Sequence, residues 1–139
     1  DAGARLALGS DSHAVIDLFE EARAVELDER LASLVRGSHD APSLLRAATR
    51  NGHDSLGWHE AGSLAVGSLA DFISVRLDSV RTAGTTADCA AEAVVFGASA
   101  ADVHTVVVDG EVVVREGVHQ RLDVAAELHA TITELMAPA

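Results

Sequence analysis

At 139 residues, 48% apolar and 23% charged, the chain has the length and balance of one ordinary globular domain, and with only 3% aromatics its core must be built from Ala, Val and Leu. Ten basic against 22 acidic side chains leave a formal charge of −12, which argues against nucleic acid or an anionic membrane surface as partner. Cys89 is the single cysteine, no run approaches the roughly 20 apolar residues of a membrane span, and no basic-then-apolar signal pattern opens the chain, so a cytoplasmic setting without disulfides is expected.

The first element is the apolar run Leu6-Ala7-Leu8, which stops at the small polar cluster Gly9-Ser10-Asp11-Ser12-His13 and reads as the end of a buried strand. The C-terminal end of a parallel strand is where barrel enzymes carry their chemistry, so Asp11 is the residue to explain. Because the chain opens directly on this strand, we expect it to be the C-terminal part of a longer protein.

Asp17 can cap a helix that places Leu18, Phe19, Ala22 and Val25 on one face, with Glu20 and Glu21 near its positive end. The apolar phase then moves to Leu27, Leu31, Leu34 and Val35, which predicts a bend or restart near Glu26 and a stop at Gly37. A second helix starts near Asp40, with Pro42 in its first turn, and runs through Leu44, Leu45, Ala47 and Ala48 toward Gly52; His53 to Gly57 predict another short helical turn.

From Gly62 onward, glycines punctuate short β-branched runs, the pattern of small antiparallel strands. Strands are predicted at Phe72–Leu77, Ala93–Phe96, Val103–Val108 and Glu111–Arg115, the last two joined by an Asp109-Gly110 turn. Arg81 to Ala91 has no periodicity and reads as a loop. Val124 to Met136 closes the chain as a helix with Val124, Leu128, Ile132 and Leu135 at helical spacing.

On pattern alone Asp11 has two readings. Its side chain could cap the next turn, or it could ligate a divalent metal and carry a proton in metal-assisted hydrolysis. Ser10 and Ser12 could orient that carboxylate or meet a substrate, and His13 could hydrogen-bond a ligand, although all three also suit an ordinary surface loop. The remaining histidines, His39, His53, His59, His104, His119 and His129, lack metal-ligand spacing. No nucleophile elbow, P-loop or dinucleotide fingerprint is present. One aspartate cannot hold a catalytic metal, which takes about three protein ligands. Asp71, Asp78 and Asp109 sit where strands start or turn and read as structural.

Three segments, taken in order, resemble the C-terminal third of the amidohydrolase superfamily, the metal-dependent hydrolases built on a (β/α)8 barrel with a small β-sandwich. They are Gly9-Ser10-Asp11-Ser12, Ala47-Ala48-Thr49 through Leu56-Gly57, and Gly62-Ser63-Leu64-Ala65-Val66-Gly67-Ser68-Leu69-Ala70-Asp71-Phe72; Val106 to Val113 is similar to the closing hairpin. Within the superfamily, Ser10-Asp11-Ser12-His13-Ala14, Phe19 to Arg23, Asn51 to Trp58 and Leu77 to Gly84 resemble the formimidoylglutamate deiminases.

The resemblance implies an α/β fold: the last barrel strand and its helices over residues 1–60, a β-sandwich segment over 61–121 and a C-terminal helix over 122–139. It implies that Asp11 binds one divalent metal, zinc or alternatively iron, and shuttles a proton while water attacks a formimidoyl carbon and ammonia leaves. Ser12 and His13, from their place beside Asp11, are the candidate substrate contacts, with His13 alternatively bonding to a group around the metal; the substrate is a small molecule, and a homodimer is expected. The other metal ligands of the family have no counterpart here, so the chain alone should be inactive. An imidazolonepropionase or a nucleobase deaminase would use Asp11 unchanged; a non-catalytic interaction module, with Asp11 only capping a turn, is the reading from another class.

Overall fold

Asp17 starts the first helix as its position predicts: the residue is extended, and its carboxylate accepts hydrogen bonds from the amides of Phe19 and Glu20. In the computed structural model, which describes residues 3–137, this helix, α1, runs without a restart over Leu18–Ser33. The apolar phase shift marks no second helix. Leu27 and Leu31 lie on an exposed face, 55% and 78% accessible, whereas the buried positions are Ala22 and Glu26. The helix ends before Gly37, at Leu34, which takes the left-handed conformation at φ 59° and bonds back to the Arg30 carbonyl.

Asp40 caps α2 (Ala41–Ala48) by accepting from the Ser43 amide at 2.7 Å, with Pro42 in the first turn as predicted. The backbone breaks at Thr49 and restarts as α3 (Arg50–Ser55), so the predicted run to Gly52 is two helices. Ala22, Ala41, Leu44 and Val95 form the buried cluster, with Leu8, Val25, Leu45 and Ala91 packed against it.

Two predicted strands are absent. Residues 93–96 fall within a helix, α4 (Ala90–Gly97), entered through a 3-10 turn over Ala87–Cys89 where a loop was expected. Burial of Val95 against α1 and α2 overrides the β preference of Val94 and Val95, and the alanines at 90, 91 and 93 favour the helix. Leu6–Leu8 is extended but joins no ladder, because a strand needs a paired neighbour and none is present among the described residues. Its polar groups bond to helices instead: Leu8 N–H donates to the Ala47 carbonyl, and Asn51 Nδ2 donates to the Leu6 carbonyl at 2.8 Å.

The sheet is a four-stranded antiparallel meander, β1 (Phe72–Val75), β2 (Val103–Val108), β3 (Glu111–Arg115) and β4 (Val118–His119), in that order. Asp109 and Gly110 both have positive φ, 50° and 76°, the two-residue hairpin turn their sequence predicts. Asp71 holds that turn, accepting from the Asp109 amide at 2.6 Å, and so has the structural role expected of it. β1 ends at Val75, short of the predicted Leu77, and the Arg76 amide continues its contact with the start of β2 by donating to the Asp102 carbonyl. The last helix, α5 (Val124–Leu135), is capped by Asp123 and exposed along its length. Residues 1, 2, 138 and 139 of the expected segments lie outside the described residues. No described helix is long and apolar enough to cross a membrane.

Candidate functional site

Asp11 lies at the outer end of the Leu6–Leu8 segment in a tight turn closed by the His13 amide, which donates to the Ser10 carbonyl at 2.7 Å. Its backbone is left-handed, φ 44°, a conformation that Asp tolerates better than most residues. Among the described residues its carboxylate makes no hydrogen bond and no ion pair, so it does not cap the next turn. That task falls to Asp17. An exposed carboxylate with its oxygens uncommitted fits one ligand position of a divalent ion. No group of three or more His, Cys, Asp or Glu side chains able to hold a metal occurs among the described residues.

The segment leading to Asp11 is fastened from one side by α3. Besides the Asn51 bond, Arg5 pairs with Asp54 at 3.0 Å, and Asp54 also meets Arg50 and His59. The His59 hydrogen bond, followed by the two arginines, holds the Asp54 carboxyl below its ordinary range. Asn51 and Asp54 thus act through backbone and ion-pair contacts within the string that carried the resemblance.

On the other side, His13 turns toward α1. Its Nδ1 lies 2.8 Å from Glu21 Oε1 and its Nε2 lies 3.9 Å from Glu20 Oε1. The Glu21 hydrogen bond raises the pKa of the ring above the ordinary histidine value. Ser12 is exposed beside Asp11. α1 in turn is clamped to the end of α4: Asp17 accepts from the Ala100 amide, and Arg23 Nη1 donates to the carbonyls of Val95 and Ala98.

Sequence reasoning missed the groups that fasten this frame. Glu26 is fully buried and accepts from Arg30 Nε and the amides of Gly37 and His39; the Arg30 bond and then the two amides lower its pKa to about 2. Asp102 is buried under Arg81, which donates from both Nε and Nη2 and is the main reason that the Asp102 carboxyl sits well below its ordinary range. The Glu26–Arg30 spacing of four within α1 is a local signal that could have been read, whereas the Gly37 and His39 amides on Glu26 and the Arg81–Asp102 pair are brought together by turns and packing and leave none.

The sequence and the fold are shared with known proteins. The amidohydrolase family profile matches residues 1–113, and the chain belongs to that family. It is 33% identical over 118 residues to a 5-methylthioadenosine/S-adenosylhomocysteine deaminase of Desulfitobacterium hafniense, covering 84% of this chain and 26% of that protein. It is 35% identical over 124 residues to a formimidoylglutamate deiminase of Pseudomonas aeruginosa, covering 84% of this chain and 27% of the relative. The crystal structure of an adenosine deaminase from Xanthomonas campestris with bound zinc superposes with a TM-score of 0.80 at 25% identity, over 90% of this chain and 28% of that one. The chain therefore spans about a quarter of the length of the relatives it matches.

Proposed function

We propose that this chain contributes to a metal-dependent hydrolase that cleaves a C–N bond and releases ammonia, with Asp11 as one metal ligand and proton carrier. The observation that carries this reading is the uncommitted Asp11 carboxylate in its closed turn, in a chain of the amidohydrolase family. The residues 1–60 then supply the last barrel strand with its helices, 61–121 the sandwich segment and 122–139 the final helix, within a protein of family length. Zinc is the favoured ion because a matched structure holds it.

The particular reaction we assign is that of N-formimidoyl-L-glutamate with water to give N-formyl-L-glutamate and ammonia, supported by the Pseudomonas aeruginosa relative and by the strings around Asp11, Asn51 and Leu77. A divalent zinc ion lowers the pKa of water from about 15.7 toward about 7. Water adds to the formimidoyl carbon and both of its protons must reach the departing nitrogen, one on addition and the second from the new hydroxyl as the C–N bond breaks and the formyl C=O forms; Asp11 carries one of these two protons, and ammonia leaves without net proton uptake. Ser12, exposed beside it, is the candidate substrate contact; His13 joins it there only through the ring edge that Glu21 leaves accessible. The lone Cys89 and the acidic surface suit a cytoplasmic enzyme acting on a small molecule, and a homodimer is the assembly we expect.

A second reading has its own support: the Desulfitobacterium and Xanthomonas relatives favour deamination of an adenosine-type nucleoside. Ammonia release by the family-length protein from N-formimidoyl-L-glutamate, 5′-methylthioadenosine and adenosine separates the two. In the same assay Asp11→Asn should lower kcat by about a thousandfold, with bound zinc measured by elemental analysis. Full turnover and full zinc in that variant would remove Asp11 from the reaction.

A further inference from the structure

The Asp11 carboxylate is aimed without any bond of its own among the described residues, so its direction must be set by the turn that carries it. That turn is exposed. Its polar restraints among the described residues are the internal bond from the His13 amide to the Ser10 carbonyl, the 2.8 Å hydrogen bond between His13 Nδ1 and Glu21, and a longer, 3.9 Å ion-pair contact from His13 Nε2 to Glu20, of which the Glu21 bond is the only side-chain hydrogen bond. Glu21 is a firm anchor because α1 is itself fixed at its start by Asp17 on the Ala100 amide and one turn later by Arg23 on two carbonyls of the α4 end. The Glu21 side chain is only 18% accessible, against 46% for His13. The anchored partner is thus the helix carboxylate, and the histidine is what it holds.

We propose that Glu21 is a positioning residue which, by latching the His13 ring to α1, holds the Asp11 turn in the one orientation that presents its carboxylate to the metal. This rests on the reading of Asp11 as a metal ligand. A turn carried at a left-handed aspartate is not the lowest-energy conformation for an unrestrained loop, so the latch selects it among several. The bond needs an acceptor at position 21, which glutamine also provides, and it needs no charge there.

The test uses the family-length protein with Glu21→Ala, Glu21→Gln, His13→Ala, the Glu21→Ala/His13→Ala double variant and Asp11→Ala. Zinc affinity is read by chelator competition, and amide hydrogen exchange over residues 10–13 is read in the zinc-free protein. Groups that orient a metal ligand typically cost about 10- to 100-fold in affinity when removed. The expected result is a loss of that size in both single alanine variants, no further loss in the double variant, near-complete rescue in Glu21→Gln, and faster exchange at 10–13 wherever zinc affinity falls. Should Glu21→Ala fail to fold, His13→Ala, whose ring lies outside the helix, carries the same comparison. Unchanged zinc affinity in Glu21→Ala or His13→Ala alongside zinc loss in Asp11→Ala overturns the latch and leaves the metal ligand standing. Unchanged zinc affinity in Asp11→Ala overturns the ligand assignment itself.

Discussion

Single residues hold this fold where the backbone takes conformations that few side chains accept. Gly62 opens the Gly62-to-Phe72 string at φ 79°, and a Cβ there would lie 2.7 Å from Arg50 Cα and 2.9 Å from Arg50 N. The obstacle is helix backbone, which cannot move aside cheaply. Gly62→Ala should therefore destabilise the protein by about 2 kcal/mol or more, read as a lower urea midpoint with an unchanged slope. Glu26 acts through charge. Its carboxyl is lowered from 4.5 to about 2, so the native state prefers the ionised form; the resulting stability is complete above about pH 4.5 and drains away as pH falls toward 2. Glu26→Gln should lower the melting temperature at pH 7 and flatten its fall between pH 4.5 and pH 2, measured by thermal denaturation across that range. An equally steep acid limb in the variant would assign the dependence to other carboxylates.

At the scale of elements, whatever rests on a local signal is legible in the sequence. Asp17, Asp40 and Asp123 start helices because a short side-chain oxygen reaches amides two or three residues on, and Asp109-Gly110 makes a hairpin because both residues accept positive φ. The Asp11 turn is legible for the same reason, as a small polar cluster at the end of an apolar run. What depends on a distant partner is not: Val94 to Phe96 has the composition of a strand and becomes a helix only because α1 and α2 wait for Val95, and the His13–Glu21 and Arg81–Asp102 pairings exist only once the chain has folded back on itself. The end of α1 joins both cases. A stop was expected at Gly37, yet Leu34 takes the left-handed position and is 88% exposed, so it bears the steric cost with little packing in return. Leu34→Gly should stabilise the protein by about 1 kcal/mol, checked by urea denaturation; a loss of stability would mean that the Leu34 side chain is covered in solution.

The whole molecule exposes more surface than a self-sufficient domain should. A compact monomer of this mass has an accessible surface of roughly 6,800 Å², whereas this chain exposes 9852 Å². The difference, about 3,000 Å² on this chain alone, is as much as a typical obligate interface buries over both of its partners together. It is apolar in large part: Ile16, Leu31, Leu64, Val66 and Val80 are all more than three-quarters exposed, as are Leu135 and Met136 at the end of α5, while the buried apolar residues among those described are Leu44, Val95, Val107 and alanines. The charge of −12 keeps such a surface in solution without covering it. Residues 1–139 produced alone should accordingly bind a hydrophobic dye strongly and sediment as concentration-dependent oligomers, while a protein of family length containing them should bind little dye and sediment as one species. Dye fluorescence and sedimentation velocity, compared between the two, report whether additional chain covers these faces. A monodisperse, dye-silent 139-residue chain would mean that the exposed apolar residues fold against one another in solution, and that the Asp11 turn is framed by this chain alone.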